Sequence, residues 1–289
     1  MPRSRHPLME RFGCTDMTLD QYTITLDDGF RVGVTRGGHG IPLVFLHGFS
    51  VAASAYSEML ELLAENGFEV IAIDAPDHGR TDALPWGHTV LDMADVVADA
   101  LDVLYIDKAV VVGHSMGGWL AAEFAALYPE RVSMLILLNA AVGEEFHESI
   151  RVGPSPGAIG KVAQFVAGAL SDVVGEARKA KSLRVIPERL SLVYRLGASI
   201  SGPKVMRAAY AMVRCSSEPA LLTLRGEVRT AIIHGADDRI IPGSAALSAA
   251  SSADAQVTLL GGHHHSWMIS DPDLAVSVIL GTVRKRMAS

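Results

Sequence analysis

Polar and apolar residues alternate twice near the start of the chain. Tyr22, Ile24 and Leu26 alternate with polar neighbours, Asp27-Asp28-Gly29 supplies turn chemistry, and Phe30, Val32 and Val34 resume the alternation. A period of two on both sides of an Asp-Gly turn predicts a β-hairpin. The pattern then changes. "PLVFLHG" (Pro42–Gly48), "FEVIAID" (Phe68–Asp74), "AVVVGH" (Ala109–His114) and "VSMLILLNA" (Val132–Ala140) are short apolar runs. Strands buried on both faces of a parallel sheet read this way. Helical stripes lie between them. Tyr56, Met59, Leu60 and Leu63 recur at helical spacing and stop at Asn66-Gly67. Val90, Met93, Val97, Leu101 and Leu104 form a second stripe, with Thr89 and Asp92 as a capping box. Met116, Leu120, Phe124 and Leu127 form a third, ended before Pro129. Strands alternating with helices predict a doubly wound α/β sheet.

The rhythm breaks between about residues 142 and 228. Ile159, Val162, Val166 and Leu170 form a helical stripe there, and Pro187, Pro203 and Pro219 suit first-turn positions of helices. "RTAIIHGADD" (Arg229–Asp238) and "AQVTLLGG" (Ala255–Gly262) restore the strand pattern, and Val276, Ile279, Leu280 and Val283 mark a last helix. The expected organisation is one α/β core, residues 1–141 and 229–289, with a helical insertion, 142–228, before its final two strands.

Composition narrows the function classes. Hydrophobic residues make up 49% and charged residues 20% of 289, as in ordinary globular proteins. The net charge of −7 is spread without long runs of one sign, which argues against nucleic acid or an anionic membrane as partner. Cys14 and Cys215 are too far apart to suggest a disulfide framework or a metal site, so two free thiols in a reducing, cytoplasmic setting are expected. The first residues lack the apolar run of a secretory signal, and no stretch is long and apolar enough to span a bilayer. Gly37-Gly38-His39-Gly40 reads as a turn, because no Gly-Lys-Ser/Thr follows to make it a phosphate loop.

The candidate chemistry centres on "VVGHSMGGWLAAEFA" (Val111–Ala125). Gly-x-Ser-x-Gly is a common pattern by itself. Here a strand precedes it and a helix follows, so Ser115 is expected on a sharp turn at a helix N-terminus, where Gly113 and Gly117 leave room. A serine hydroxyl needs a base, and the base needs a carboxylate on its other ring nitrogen. His263, His264 and His265 compete for the first role, Asp237 and Asp238 for the second. Three adjacent histidines splay apart, so no metal is expected on them.

Several segments together resemble the α/β-hydrolase superfamily over most of the chain. They are "HGFS" (His47–Ser50), "DAPDHGRTD" (Asp74–Asp82), "GHSMGG" (Gly113–Gly118), "HGADDRIIP" (His234–Pro242) and "GGHHHSWMISDP" (Gly261–Pro272). Their order, serine then acid then histidine, is the family's order. The resemblance implies a mostly parallel eight-stranded sheet flanked by helices, with a helical cap after strand 6. It selects His265, seven residues before Pro272, and Asp238, which directly precedes "RIIP". Asp237 is then left to shape the turn. Some members carry the acid after the sixth strand, but Asn139 stands there and cannot serve as the charged member. The backbone N–H groups of Phe49 and Met116 take the oxyanion-hole positions. His47 is expected to brace its loop. His114 and Trp119 are read as packing or pocket wall, and Met206, Tyr210, Met212 and Trp267 as pocket lining.

The function this implies is a carboxylesterase-like serine hydrolase acting on a small, largely apolar ester or lactone, with no cofactor. A homodimer stays open. Within the same class, "LYIDKAVVVGHSMGG" resembles carbon–carbon hydrolases of ring-cleavage products, but His114 stands where they usually carry asparagine. A perhydrolase or hydroxynitrile lyase would also keep Ser115. Dehalogenases and epoxide hydrolases of this fold use aspartate there. The alternative from another class is a ligand receptor that kept the fold without the chemistry.

Overall fold

The computed structural model describes residues 19–150, residue 172 and residues 203–287. Eight strands form one sheet: β1 (Asp20–Thr25), β2 (Arg31–Gly38), β3 (Ile41–Leu46), β4 (Phe68–Ile73), β5 (Ala109–His114), β6 (Val132–Leu138), β7 (Thr230–Gly235) and β8 (Gln256–Leu260). Their spatial order is β1-β2-β4-β3-β5-β6-β7-β8. The first two pairings, β1 with β2 and β2 with β4, are antiparallel, and the other five are parallel. The expected hairpin is present, with Tyr22 opposite Val34 and Ile24 opposite Val32. The glycines at 37 and 38 extend β2 rather than opening the turn there.

The apolar runs behave as strands covered on both faces. Every residue of β5 and of β7 is buried. Successive side chains of a strand point to opposite faces, so each run feeds two cores. One holds Leu43, Phe45, Val110, Val112 and Ile136 against α1 (Ser57–Glu65) and the C-terminal helix Pro272–Met287. The other holds Val44, Leu46, Val111, Leu135 and Leu137 against α2 (Val90–Val103) and α3 (Met116–Leu127). The capping box of α2 forms as expected. Thr89 Oγ1 accepts from Asp92 N at 3.3 Å, and Asp92 Oδ2 accepts from Thr89 N at 2.6 Å.

Between β6 and β7 the described residues form helices only: α4 (Glu144–Ile150), α5 (Pro203–Arg214) and α6 (Glu218–Leu224). Pro203 opens α5, and Pro219 lies in the first turn of α6. The stripe expected at Ile159–Leu170, and Pro187, lie outside the described residues. α6 packs on α3 and on α7 (Gly243–Ala253), with Leu221 and Leu224 fully buried in the α2/α3 core. The chain closes with α8 (Trp267–Ser270) and α9 (Pro272–Met287). Among the described residues no helix is long and apolar enough to cross a membrane.

Candidate active site

β5 ends at His114 and α3 begins at Met116, so Ser115 alone makes the turn between them. Its backbone sits at φ 53°, ψ −120°, a conformation that costs a non-glycine residue of order 1–3 kcal/mol. The surroundings hold it there. Ser115 N donates to Leu138 O at 3.1 Å, and Ser115 O accepts from Gly118 N and Ala141 N, both at 2.9 Å. The flanking glycines are required by close approach. A Cβ on Gly113 would overlap the Gly117 carbonyl, and a Cβ on Gly117 would overlap the carbonyls of Leu46 and His47. The first turn of α3 is thereby pressed against the end of β3.

The loop leaving β3 lies at that contact. His47 braces it as expected: Nε2 accepts from Ala75 N at 2.9 Å, so Nδ1 carries the proton and donates to Gly48 O at 2.8 Å. His78 adds a second brace by accepting from Ser50 N at 3.1 Å, which holds Ser50 at φ 61°. Among the described residues, Phe49 N–H and Met116 N–H have no hydrogen-bond partner. Two unspent amides at adjoining loop and helix ends can receive a developing negative charge.

Of the three histidines, His265 is the one joined to an acid. Its Nδ1 lies 2.8 Å from Asp238 Oδ2, and it is buried. His263 and His264 instead donate to backbone, to Gly261 O at 2.8 Å and Asp237 O at 3.0 Å. Asp237 is exposed and its N–H bonds His263 O, so it shapes the turn. Asp238 accepts four hydrogen bonds. Oδ2 receives His265 and, at 2.7 Å, Asn139 Nδ2; Oδ1 receives Ile240 N at 2.7 Å and Ile241 N at 3.0 Å. Burial pushes this carboxyl up, but the His265 charge and the hydrogen bonds from His265, Asn139 and Ile241 outweigh it and bring the pKa to about 2. A carboxylate that only accepts fixes the proton on Nδ1 of His265 and leaves Nε2 as a base.

Asn139, excluded above as the acid, instead holds the acid in place. Its Nδ2 holds the acid, while Oδ1 accepts from Gly235 N at 3.1 Å and from Trp267 Nε1 at 2.8 Å. The available signal was its place directly after β6, where part of the resembled family puts the acid.

A family model for the alpha/beta hydrolase fold matches residues 41–272, four-fifths of the sequence. The chain belongs to the alpha/beta hydrolase family. A protein of Mycobacterium phage D29, provisionally named a non-heme haloperoxidase, is 47% identical over 258 residues, 89% of this chain and 92% of its own. Among solved structures, Est816, presented as an N-acyl homoserine lactone degrading enzyme, is similar with a TM-score of 0.69 and 25% identity, over 90% of this chain and 99% of that one. A thermophilic esterase from Thermogutta terrifontis has a TM-score of 0.69 over 92% and 98% of the two chains; at 22% identity it speaks for the fold alone. The family match and the phage relative place the protein among the family's enzymes.

The residues expected to line this hydrolase's pocket are placed differently from one another. Met212 is buried in the same core cluster as Phe49 and Met116. Met206 falls on α5, with its side chain outside the described residues. Trp119 is fully buried, and its indole N–H is spent on Glu123 Oε1 at 2.8 Å. Trp267 belongs to the opposite core, beside α1 and α9, with its indole N–H on Asn139. His114 is buried and hydrogen-bonded on both ring nitrogens. The polar atoms of these three side chains are satisfied within the protein, which fits the packing role expected of His114 and Trp119. Tyr210 is 41% exposed and stacks on Trp86, with ring centroids 5.7 Å apart.

Proposed function

We propose that this protein is a serine hydrolase that cleaves a carboxylic ester or lactone through an acyl-enzyme. The observation that carries the reading is an imidazole locked by a four-bonded carboxylate, His265 on Asp238, with the His265 carbonyl bonded to His114, the residue before the strained serine turn. Ser115 Oγ attacks the substrate carbonyl carbon while His265 Nε2 takes its proton. The amides of Phe49 and Met116 stabilise the oxyanion, and Asp238 stabilises the imidazolium. Collapse breaks the carbon–oxygen bond, and His265 returns the proton to the departing alkoxide. Water, deprotonated by the same histidine, then releases the carboxylic acid and restores Ser115. No step needs a metal or cofactor. The substrate is small and largely apolar, in keeping with the apolar cluster to which Phe49, Met116 and Met212 all belong. We assign its cover to a helical cap between residues 142 and 228.

The test is labelling of Ser115 by a fluorophosphonate together with turnover of aryl esters and lactones. The native protein labels and turns over. Ser115→Ala does neither, losing about 10³-fold or more in kcat. Full turnover by Ser115→Ala removes the reading.

The phage relative favours a second reading on the same groups. If hydrogen peroxide replaces water as the attacking nucleophile, the acyl-enzyme yields a peracid and free Ser115, and the peracid oxidises halide in solution. Bromination of a phenol that requires both a carboxylic acid and hydrogen peroxide, and is lost in Ser115→Ala, would favour this outcome over simple hydrolysis.

A further inference from the structure

Three loops must be held together for the proposed reaction: the one before Phe49, the one at Ser115 and the one carrying His265. A single buried chain of hydrogen bonds joins all three. Gly48 N donates to Tyr56 Oη at 3.2 Å, Tyr56 Oη lies 2.8 Å from His114 Nδ1, and His114 Nε2 lies 3.1 Å from His265 O. The ends of this chain are backbone groups whose roles cannot change. Gly48 N–H can only donate, so Tyr56 Oη accepts from it and is free to donate its own proton to His114 Nδ1. His265 C=O can only accept, so His114 Nε2 must carry the proton. The polarity is therefore fixed at every link, with one tautomer of His114.

We propose that Tyr56 and His114 are positioning residues that set the base, the nucleophile turn and the oxyanion loop in one register through this relay. The inference rests on the hydrolase reading above. Its geometry is specific. His114 directly precedes Ser115, Gly48 directly precedes Phe49, and the bonded carbonyl belongs to His265 itself. The glycine at 48 is needed, because a Cβ there would lie 2.9 Å from His114 Nδ1 and 3.2 Å from Tyr56 Oη. The His114 and His265 rings lie 4.8 Å apart, with Asp238 and His47 the other ionisable groups acting on His114. Burial first, and then His265, push the His114 imidazolium well below the usual histidine range, so a neutral ring stays beside the working base. Tyr56 is held as the neutral phenol by burial.

The experiment compares Tyr56→Phe, His114→Gln, His114→Leu and the Tyr56→Phe/His114→Leu double variant, with active sites titrated by fluorophosphonate. Gln keeps a donor where Nε2 stands and loses the link to Tyr56. Misplacing the base or nucleophile lowers kcat per titrated site by about 10- to 100-fold while KM changes little. His114→Gln recovers part of the loss of His114→Leu, and the double variant loses no more than the worse single one, as members of one relay do. Folded variants with wild-type kcat per titrated site overturn the proposal, as do losses that simply multiply. Where the variants do not fold, nitrogen-15 spectra of the native protein decide. A neutral Nε2–H tautomer of His114 from about pH 6 to about pH 9 supports the relay, and an Nδ1–H or titrating His114 overturns it. Failure of the hydrolase reading is separate: the native protein would then not label at all.

Discussion

Asp238 shows how one side chain's surroundings become a pH dependence. Its pKa is about 2 in the folded chain against an ordinary 3.8. A depressed carboxyl stabilises the fold fully above its unfolded pKa, and that contribution is lost as pH falls through the folded value. A shift of this size is worth about 2 kcal/mol at neutral pH. We therefore expect the difference in unfolding free energy between the native protein and Asp238→Asn to shrink by about 2 kcal/mol between about pH 5 and about pH 2. Urea unfolding at a series of pH values measures it, and a flat difference would show that the carboxylate is not held as described. At this scale the candidate serine, acid and histidine were legible and the residues that hold them were not. Ser115, Asp238 and His265 each sit in a short motif with fixed neighbours. Asn139 meets Asp238 across 99 residues, and His114 meets His265 across 151. No local pattern marks a polar side chain whose partner arrives only on folding. For that reason the packing of His114 and Trp119 could be expected, but not the partners they bond.

At the scale of elements, the site is a contact between β3 and α3. Gly117 lets the first turn of α3 approach the carbonyls of Leu46 and His47, which sets Met116 N–H next to the loop of Phe49. Both elements have buried, fixed backbones, so neither can yield cheaply. Gly117→Ala should push them apart. We expect a loss of about 1–3 kcal/mol in unfolding free energy, typical of overpacking. The folded fraction should also label at Ser115 far more slowly than the native protein. A variant with native stability and native labelling would show that the contact can relax. The elements themselves follow from periodicity. Runs buried on both faces became β3 to β7, and the Thr89–Asp92 box starts α2 where expected. The glycines at 37 and 38 misled because hairpin strands tolerate glycine where a neighbouring helix packs closely. A Cβ on Gly38 would crowd Ala64 of α1.

At the scale of the molecule, β5, β7 and β8 run parallel, so the serine turn, the acid loop and the histidine loop leave the same end of the sheet. What the helical insertion contributes was less legible, because a helical stripe gives no partner. One link between it and the core is exposed. Trp86, in the segment before α2, is 62% exposed, yet it stacks on Tyr210 of α5 with an interplanar angle of 15°. The guanidinium carbons of Arg207 and Arg214 lie 6.0 and 5.3 Å from the Trp86 and Tyr210 rings, and their NH1 groups reach Leu84 O and Gly87 O. Aromatic stacking and cation–π contact at exposed sites contribute about 0.5–1.5 kcal/mol each, enough to bias the seating of a helix and too little to decide whether the core folds. If α5 belongs to a cap over the site, Trp86→Ala should loosen its seat. KM should then rise several-fold, the melting temperature should fall by no more than about 4 °C, and kcat at saturation should stay near the native value. Steady-state kinetics on a soluble aryl ester beside a thermal melt separates the cases. A large fall in melting temperature with KM unchanged would make the stack a support of the core, and α5 would lose its place in the cap.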